Sequence, residues 1–227
     1  MQFSEMLLKL WDKGLLQLGI WETIYMTLIS TAIAYVIGLP LGVILNVTDD
    51  SGIRPIRWLN RVLGFIVNFF RSIPFIILMV AMLPVAKLIV GTSLGNKAVI
   101  VMLVIAAAPY VARLVESSLK EVNAGVIEAA QAMGSNNFQI ITKVLIPEAK
   151  PSLLTGATIA MVTILGYSAM AATIGGTGLG QIAIIYGHQR SNPDIKWICV
   201  LLMVVIVQII QICGDKIVQK SDKRARQ

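Results

Sequence analysis

The chain has 227 residues, 56% of them hydrophobic and only 14% charged, with a net charge of +7. A soluble globular domain carries about 25% charge, and several apolar runs here exceed the ~18–20 residues that cross a bilayer as a helix, so the composition excludes an ordinary water-soluble enzyme or binding domain. Period-2 alternation is absent, which argues against a membrane barrel, and the surplus Lys and Arg lack the aromatic interleaving of a nucleic-acid surface, so no nucleic-acid partner is expected.

In chain order, residues 1–20 are interrupted by Glu5, Lys9, Asp12 and Lys13. They are expected to form an amphipathic segment on the extracytoplasmic face rather than a cleaved leader. Five spans follow, at about 21–47, 57–87, 98–115, 152–174 and 197–213, before a basic tail at 219–227. The predicted fold is all-α and membrane-integral, with five transmembrane helices and a short helical unit between the third and fourth. Placing that unit in the cytoplasm puts Arg54, Arg57, Arg61, Arg113, Lys120, Lys143, Lys150 and the basic tail inside. These outnumber Lys9, Lys13, Lys87, Lys97, Arg190 and Lys196 outside, so the N-terminus is expected outside and the C-terminus in the cytoplasm.

Pro40, Pro74 and Pro109 fall in or near spans, where each removes a backbone donor and can bend a helix. Arg71 lies ten residues past Arg61, about 15 Å along a helix. It is therefore expected near mid-membrane, facing the interior and the carbonyls freed by Pro74. The alternative is that 57–70 follow the interface and the span begins at Ser72. The fourth span is rich in small residues, with Gly156 and Ala160, and Ser168 and Ala172, four apart. Such a stripe is either a packing seam or a pore wall.

Catalytic signatures are missing. No Gly is followed by Lys, so the chain has no P-loop and any ATP would be hydrolysed by another subunit. The run "GGTGLG" (175–180) lacks the spacing of a dinucleotide loop and reads as a flexible turn. "GYSAM" (166–170) lacks the closing Gly of a nucleophile elbow. His188 has no partner for a metal site or a triad. Cys199 and Cys213 are fourteen apart, about 21 Å on a helix; they are too distant for a disulfide and are expected as buried small hydrophobes.

"EAAQAMGSNNFQIITKVLIP" (128–147) is polar and turn-prone between apolar runs. Its residue types predict a helix over 125–133, with Val126, Ala129, Ala130 and Met133 on one face. Gly134 would end it in a left-handed conformation. Ser135 would cap a second short helix, and Pro147 would open the next span.

This stretch resembles the EAA motif of the permeases of type I ATP-binding-cassette importers. Glu128, Ala129, Ala130, Gly134 and Pro147 match in register, while Val144 and Ile146 stand where the motif has Ile and Leu. "RSIPFIIL" (71–78) and "GYSAMAATIGGTGLGQI" (166–182) resemble the methionine-uptake branch. The resemblance covers roughly 21–218, which would be the transmembrane domain. It implies a homodimer in the bacterial inner membrane, two P-loop ATPase subunits holding ATP and Mg²⁺, and an extracytoplasmic substrate-binding protein; this chain would hold no cofactor or metal. Glu128, Ala129, Ala130, Met133 and Gly134 would form the coupling contact with the ATPase.

In such a dimer, Met170 would lie about 28 Å past Pro151, near the outer edge of the bilayer core. Paired with its copy it would close an apolar constriction, with Tyr167 and Ser168 just inside. The alternatives are the same kind of permease for another small solute, or an autonomous channel or ion-coupled carrier.

Overall fold

The computed structural model describes residues 11–221. Among them regular structure is helical, and eight helices carry the fold: α1 (Leu15–Thr48), α2 (Arg57–Ser72), α3 (Phe75–Ala81), α4 (Leu83–Val90), α5 (Asn96–Lys120), α6 (Ala124–Ala132), α7 (Lys150–Met170) and α8 (Pro193–Ser221). Helices α1, α5, α8 and the run Lys150–Ile174, which extends α7 by one 3₁₀ turn, are long and apolar enough to cross a membrane. A fifth span exists if the bent pair α2 and α3 counts as one.

The expected 57–87 span is thus not one helix. Pro74 disfavours helical backbone before it and sits extended (ψ 133°), accepting from Ile77 and Leu78 to start α3. Gly91, left-handed at φ 79°, ends α4. The helix that carries the first span starts at Leu15 rather than near 21 and runs to Thr48. Residues 1–10 and 222–227, half of the expected surface segment and most of the tail, lie outside the described residues. The last helix is likewise longer than expected, at Pro193–Ser221.

The described residues form two compact units. One holds the residues up to Ile33, Ile73–Ala107 and Met161–Gln211; the other holds Ala34–Ser72, Ala108–Ala160 and the residues from Ile212.

In the first unit Leu16, Leu165, Leu179, Ile182, Ile198 and Cys199 form the core. Thr23, Thr27 and Thr31 are buried, and each hydroxyl donates to the carbonyl four residues back at 2.7–2.8 Å. A helix in lipid must satisfy its polar groups internally in this way. The glycine-rich run after α7 is packed rather than flexible. Gly176, Gly178 and Gly180 are buried, Leu179 N donates to Thr23 Oγ1 at 2.9 Å, Thr177 N donates to Asn96 Oδ1 at 3.2 Å, and Asn96 Nδ2 donates to Glu22 at 3.1 Å.

In the second unit α1 and α5 meet through small residues. A Cβ on Gly42 would come within 2.5 Å of the Ala112 carbonyl oxygen, and one on Gly38 within 2.9 Å of Ala108 O. Leu45, Val67 and Ala112 pack beside this crossing.

Candidate functional site

The segment between α5 and α7 is built from local capping chemistry. Asn123 caps α6, accepting from Gly125 N at 2.8 Å. Gly134 takes φ 78°, its N–H bonds Gln131 O at 2.9 Å, and Ser135 N–H bonds Ala130 O at 3.1 Å. These two bonds are the Schellman pair that satisfies a helix's last carbonyls. The second cap is Asn136 rather than Ser135: Gln139 N donates to Asn136 Oδ1 and Asn136 N to Gln139 Oε1, both at 2.9 Å. The box falls at Asn136 rather than Ser135 because Gln139 lies three positions on from 136, whereas three positions on from Ser135 is Phe138, which cannot reach back with a hydrogen bond. The chain continues as a π-helical stretch, Ile140–Leu145, and a short turn, Ile146–Glu148. Pro147 therefore sits in that turn, ahead of α7, and not at the first position of the span.

The apolar face expected on α6 is divided. Ala130 is buried and Ile127 half-buried, and α6 packs on the π stretch, whose Ile140 and Leu145 are buried. Val126, Glu128, Ala129 and Met133 face outward. Met133 is 79% exposed, and Phe138 beyond the elbow is 73% exposed. A helix this short cannot turn a whole face inward, because only its edge reaches the π stretch. The result is a surface of Val126, Met133 and Phe138 beside the Glu128 carboxylate, displayed on a segment whose two short helices are each capped.

Next to α6 lies a polar cluster that sequence reasoning missed. Glu116 on α5 has a side chain only 8% exposed; one oxygen pairs with Arg113 and the other accepts from Lys120 Nζ at 2.9 Å. Lys120 Nζ also reaches Asp49 Oδ2, just past α1, at 2.9 Å. Arg113 donates to Asn68 Oδ1 on α2 at 3.0 Å. The hydrogen bond from Lys120 is the main cause holding the Asp49 carboxyl below its usual range. In the sequence Arg113 and Lys120 entered only as positive charges on the cytoplasmic side. The signal was the spacing Arg113, Glu116, Lys120, which puts all three on one helix face.

Along α7 and the 3₁₀ turn after it, Gly156, Ala160, Ile164, Ser168 and Ala172, each four apart, are buried. This stripe is a packing seam. Ser168 belongs to it, its hydroxyl donating to Leu165 O at 2.7 Å, and so points away from Met170. Met170 ends α7 half-exposed. Tyr167 stacks on Phe75 with ring centroids 4.1 Å apart and planes 7° apart. Arg71, in the last turn of α2, is exposed, and among the described residues no hydrogen bond joins it to the carbonyls around Pro74. Cys199 is buried as expected but Cys213 is exposed.

A family model described as "Binding-protein-dependent transport system inner membrane component" matches residues 38–227. The chain belongs to this family. Within it, the "Probable D-methionine transport system permease protein MetI" of Vibrio cholerae serotype O1 is 51% identical over 213 residues, 94% of this chain and 95% of that one. The "Methionine import system permease protein MetP" of Bacillus subtilis is 44% identical over 204 residues, 90% of this chain and 92% of its own. A solved inward-facing conformation of the MetNI methionine ABC transporter superposes with a TM-score of 0.91 at 47% identity, covering 93% of this chain and 98% of that one. Family membership makes this chain a multi-pass inner-membrane transport component, consistent with its apolar helices.

Proposed function

We propose that this chain is the membrane-spanning permease subunit of an ATP-binding-cassette importer for methionine. The observation that carries the reading is near-full-length similarity, at 44–51% identity, to permeases named for methionine transport. The exposed, capped helix α6, which carries the Glu-Ala-Ala signature, supports it. Two copies form the path across the inner membrane, with residues 21–218 as the transport domain, the N-terminus outside and the C-terminus in the cytoplasm. Each copy seats α6 on a separate ATPase subunit, where ATP and Mg²⁺ act, and a binding protein delivers substrate from outside. The permease itself does no covalent chemistry.

Glu128, Ala129, Met133 and Gly134 form the contact, with Ala130 anchoring α6 from beneath. Drawing the two α6 helices together when the ATPases close opens the path outward, and nucleotide release returns it inward. Met170 from each copy forms the outer apolar seal, which excludes water by dewetting; its unbranched thioether chain repacks easily as the seal opens. Tyr167, held by Phe75, lies one turn inside it.

The test is reconstitution with the ATPase and binding protein in liposomes, followed by uptake of labelled L- and D-methionine. Methionine uptake that requires ATP supports the reading. Uptake of another solute in preference, or ATP-independent flux, replaces it with the corresponding alternative.

A further inference from the structure

Helix α6 is tied into its unit at two places. Its underside rests on the π stretch that leads to α7, and its N-terminal end continues from Lys120 through a three-residue turn. Toward the loop after α1, a cavity of about 320 Å³ lies between Ala124, Glu128 and Gln131 on one side and Ser51 and Ile53 on the other. Movement of α6 therefore reaches α7 through the π stretch, and its N-terminal end leads through α5 to α1 and α2.

The ionic cluster sits at that point. Lys120 Nζ spans two carboxylates, Asp49 beyond α1 and Glu116 on α5, each at 2.9 Å, and Glu116 is shared with Arg113, which holds Asn68 on α2. Two positive and two negative groups thus join three helices, with Glu116 shielded from solvent so that the attraction is less screened than on an open surface. We propose that Lys120 is a positioning residue for transport: it links α5 to α1, so that displacement of α6 moves the ends of α1, α2 and α5 as one body. The inference rests on the importer reading above.

The experiment compares Lys120→Gln, Asp49→Asn and Lys120→Arg in the full complex in liposomes, measuring import and ATP hydrolysis together. Lys120→Gln leaves Glu116 paired with Arg113, so no carboxylate is stranded in the interior. Coupling between sites spans about 5–150-fold; the first two variants are therefore expected to keep ATP hydrolysis stimulated by the loaded binding protein within about twofold while losing roughly tenfold in import per ATP. Lys120→Arg, which still bridges both carboxylates, is expected to retain the wild-type ratio.

A second measurement restores the tie covalently. Asp49→Cys with Lys120→Cys, in a background with Cys199→Ala and Cys213→Ala, is expected to be uncoupled and to recover when joined by a short thiol-specific cross-linker. Import and hydrolysis falling in proportion, an unchanged ratio in Lys120→Gln, or no recovery on cross-linking overturns the inference. Failure of the unsubstituted complex to import methionine overturns the importer reading and this inference with it.

Discussion

Gly134 holds the elbow after α6 at φ 78°, and no atom lies within 4 Å of where a Cβ would stand. An alanine there meets no steric obstacle, so its cost is that of the left-handed backbone alone, about 1–2 kcal/mol. That shifts the balance between closed and open elbow by about 5- to 30-fold. Opening releases the bonds from Gly134 and Ser135 to Gln131 and Ala130 and frees the last turn, which displays Met133. Asparagine tolerates the left-handed region far better than other side chains, so Gly134→Asn is expected to lie near wild type. Gly134→Leu carries the same backbone cost as Ala plus a bulky side chain on the exposed contact surface, and it is expected to abolish import.

The assay is ATP hydrolysis stimulated by loaded binding protein in the reconstituted complex, titrated with the ATPase subunit, alongside import. The order glycine, asparagine, alanine, leucine is expected. A wild-type response from Gly134→Ala, or an asparagine variant as impaired as the alanine one, refutes the reasoning that backbone conformation at this elbow governs the contact.

Glu128→Lys reverses the carboxylate on the exposed face of α6 and is expected to stop import without changing membrane insertion or thermal stability; stimulated hydrolysis by this variant would count against the contact. Gly42→Ala forces a methyl within 2.5 Å of Ala112 O, whereas Gly166→Ala meets nothing within 4 Å. The first is expected to lose about 1–2 kcal/mol net of helix propensity and the second to gain up to about 1, read from melting in detergent. The hydrogen bond from Lys120 lowers the folded-state pKa of Asp49, so its contribution is present above the unfolded Asp value of about 3.9 and lost as pH falls through the lower folded value. The stability gap between wild type and Asp49→Asn is expected to hold at neutral pH and to close under acid, as urea titrations would show. Met170→Cys, in a background lacking Cys199 and Cys213, is expected to form a disulfide between two copies when an oxidant is added without nucleotide, and to fail to form it when ATP closes the partner before the oxidant is added. Failure to cross-link in any state removes Met170 from the axis.

The long spans were legible because lipid leaves a uniform apolar signature, and the elbow was legible because glycine, asparagine and proline act locally. Pro74 was legible as a place where a helix can bend, though not the sharp parting of α2 from α3 that it makes. Two features were not legible, each because its cause is tertiary. Gly38 and Gly42 lie in a helix so apolar that their role appears only against Ala108 and Ala112. Glu116 carries no motif in the sequence, and its role appears only where Lys120 and Arg113 close on its two oxygens. At the candidate site the residue types of α6 were read correctly but their division was not, since Ala130 and Val126 have similar polarity and only the π stretch beneath decides which turns inward.

That π stretch also fixes an angular phase. An α-helix advances about 100° per residue, and a wide turn absorbs extra chain within a helical path. With Ile140–Leu145 wound this way, the number of residues between the glycine elbow and Lys150 sets which side of α7 carries Met170 and which carries the buried seam. A one-residue deletion here would leave both caps in place, yet it would have to close the wide turn to an ordinary one or rotate the following span by about 100°. Chain length in this segment is thus as strict a specification as residue type.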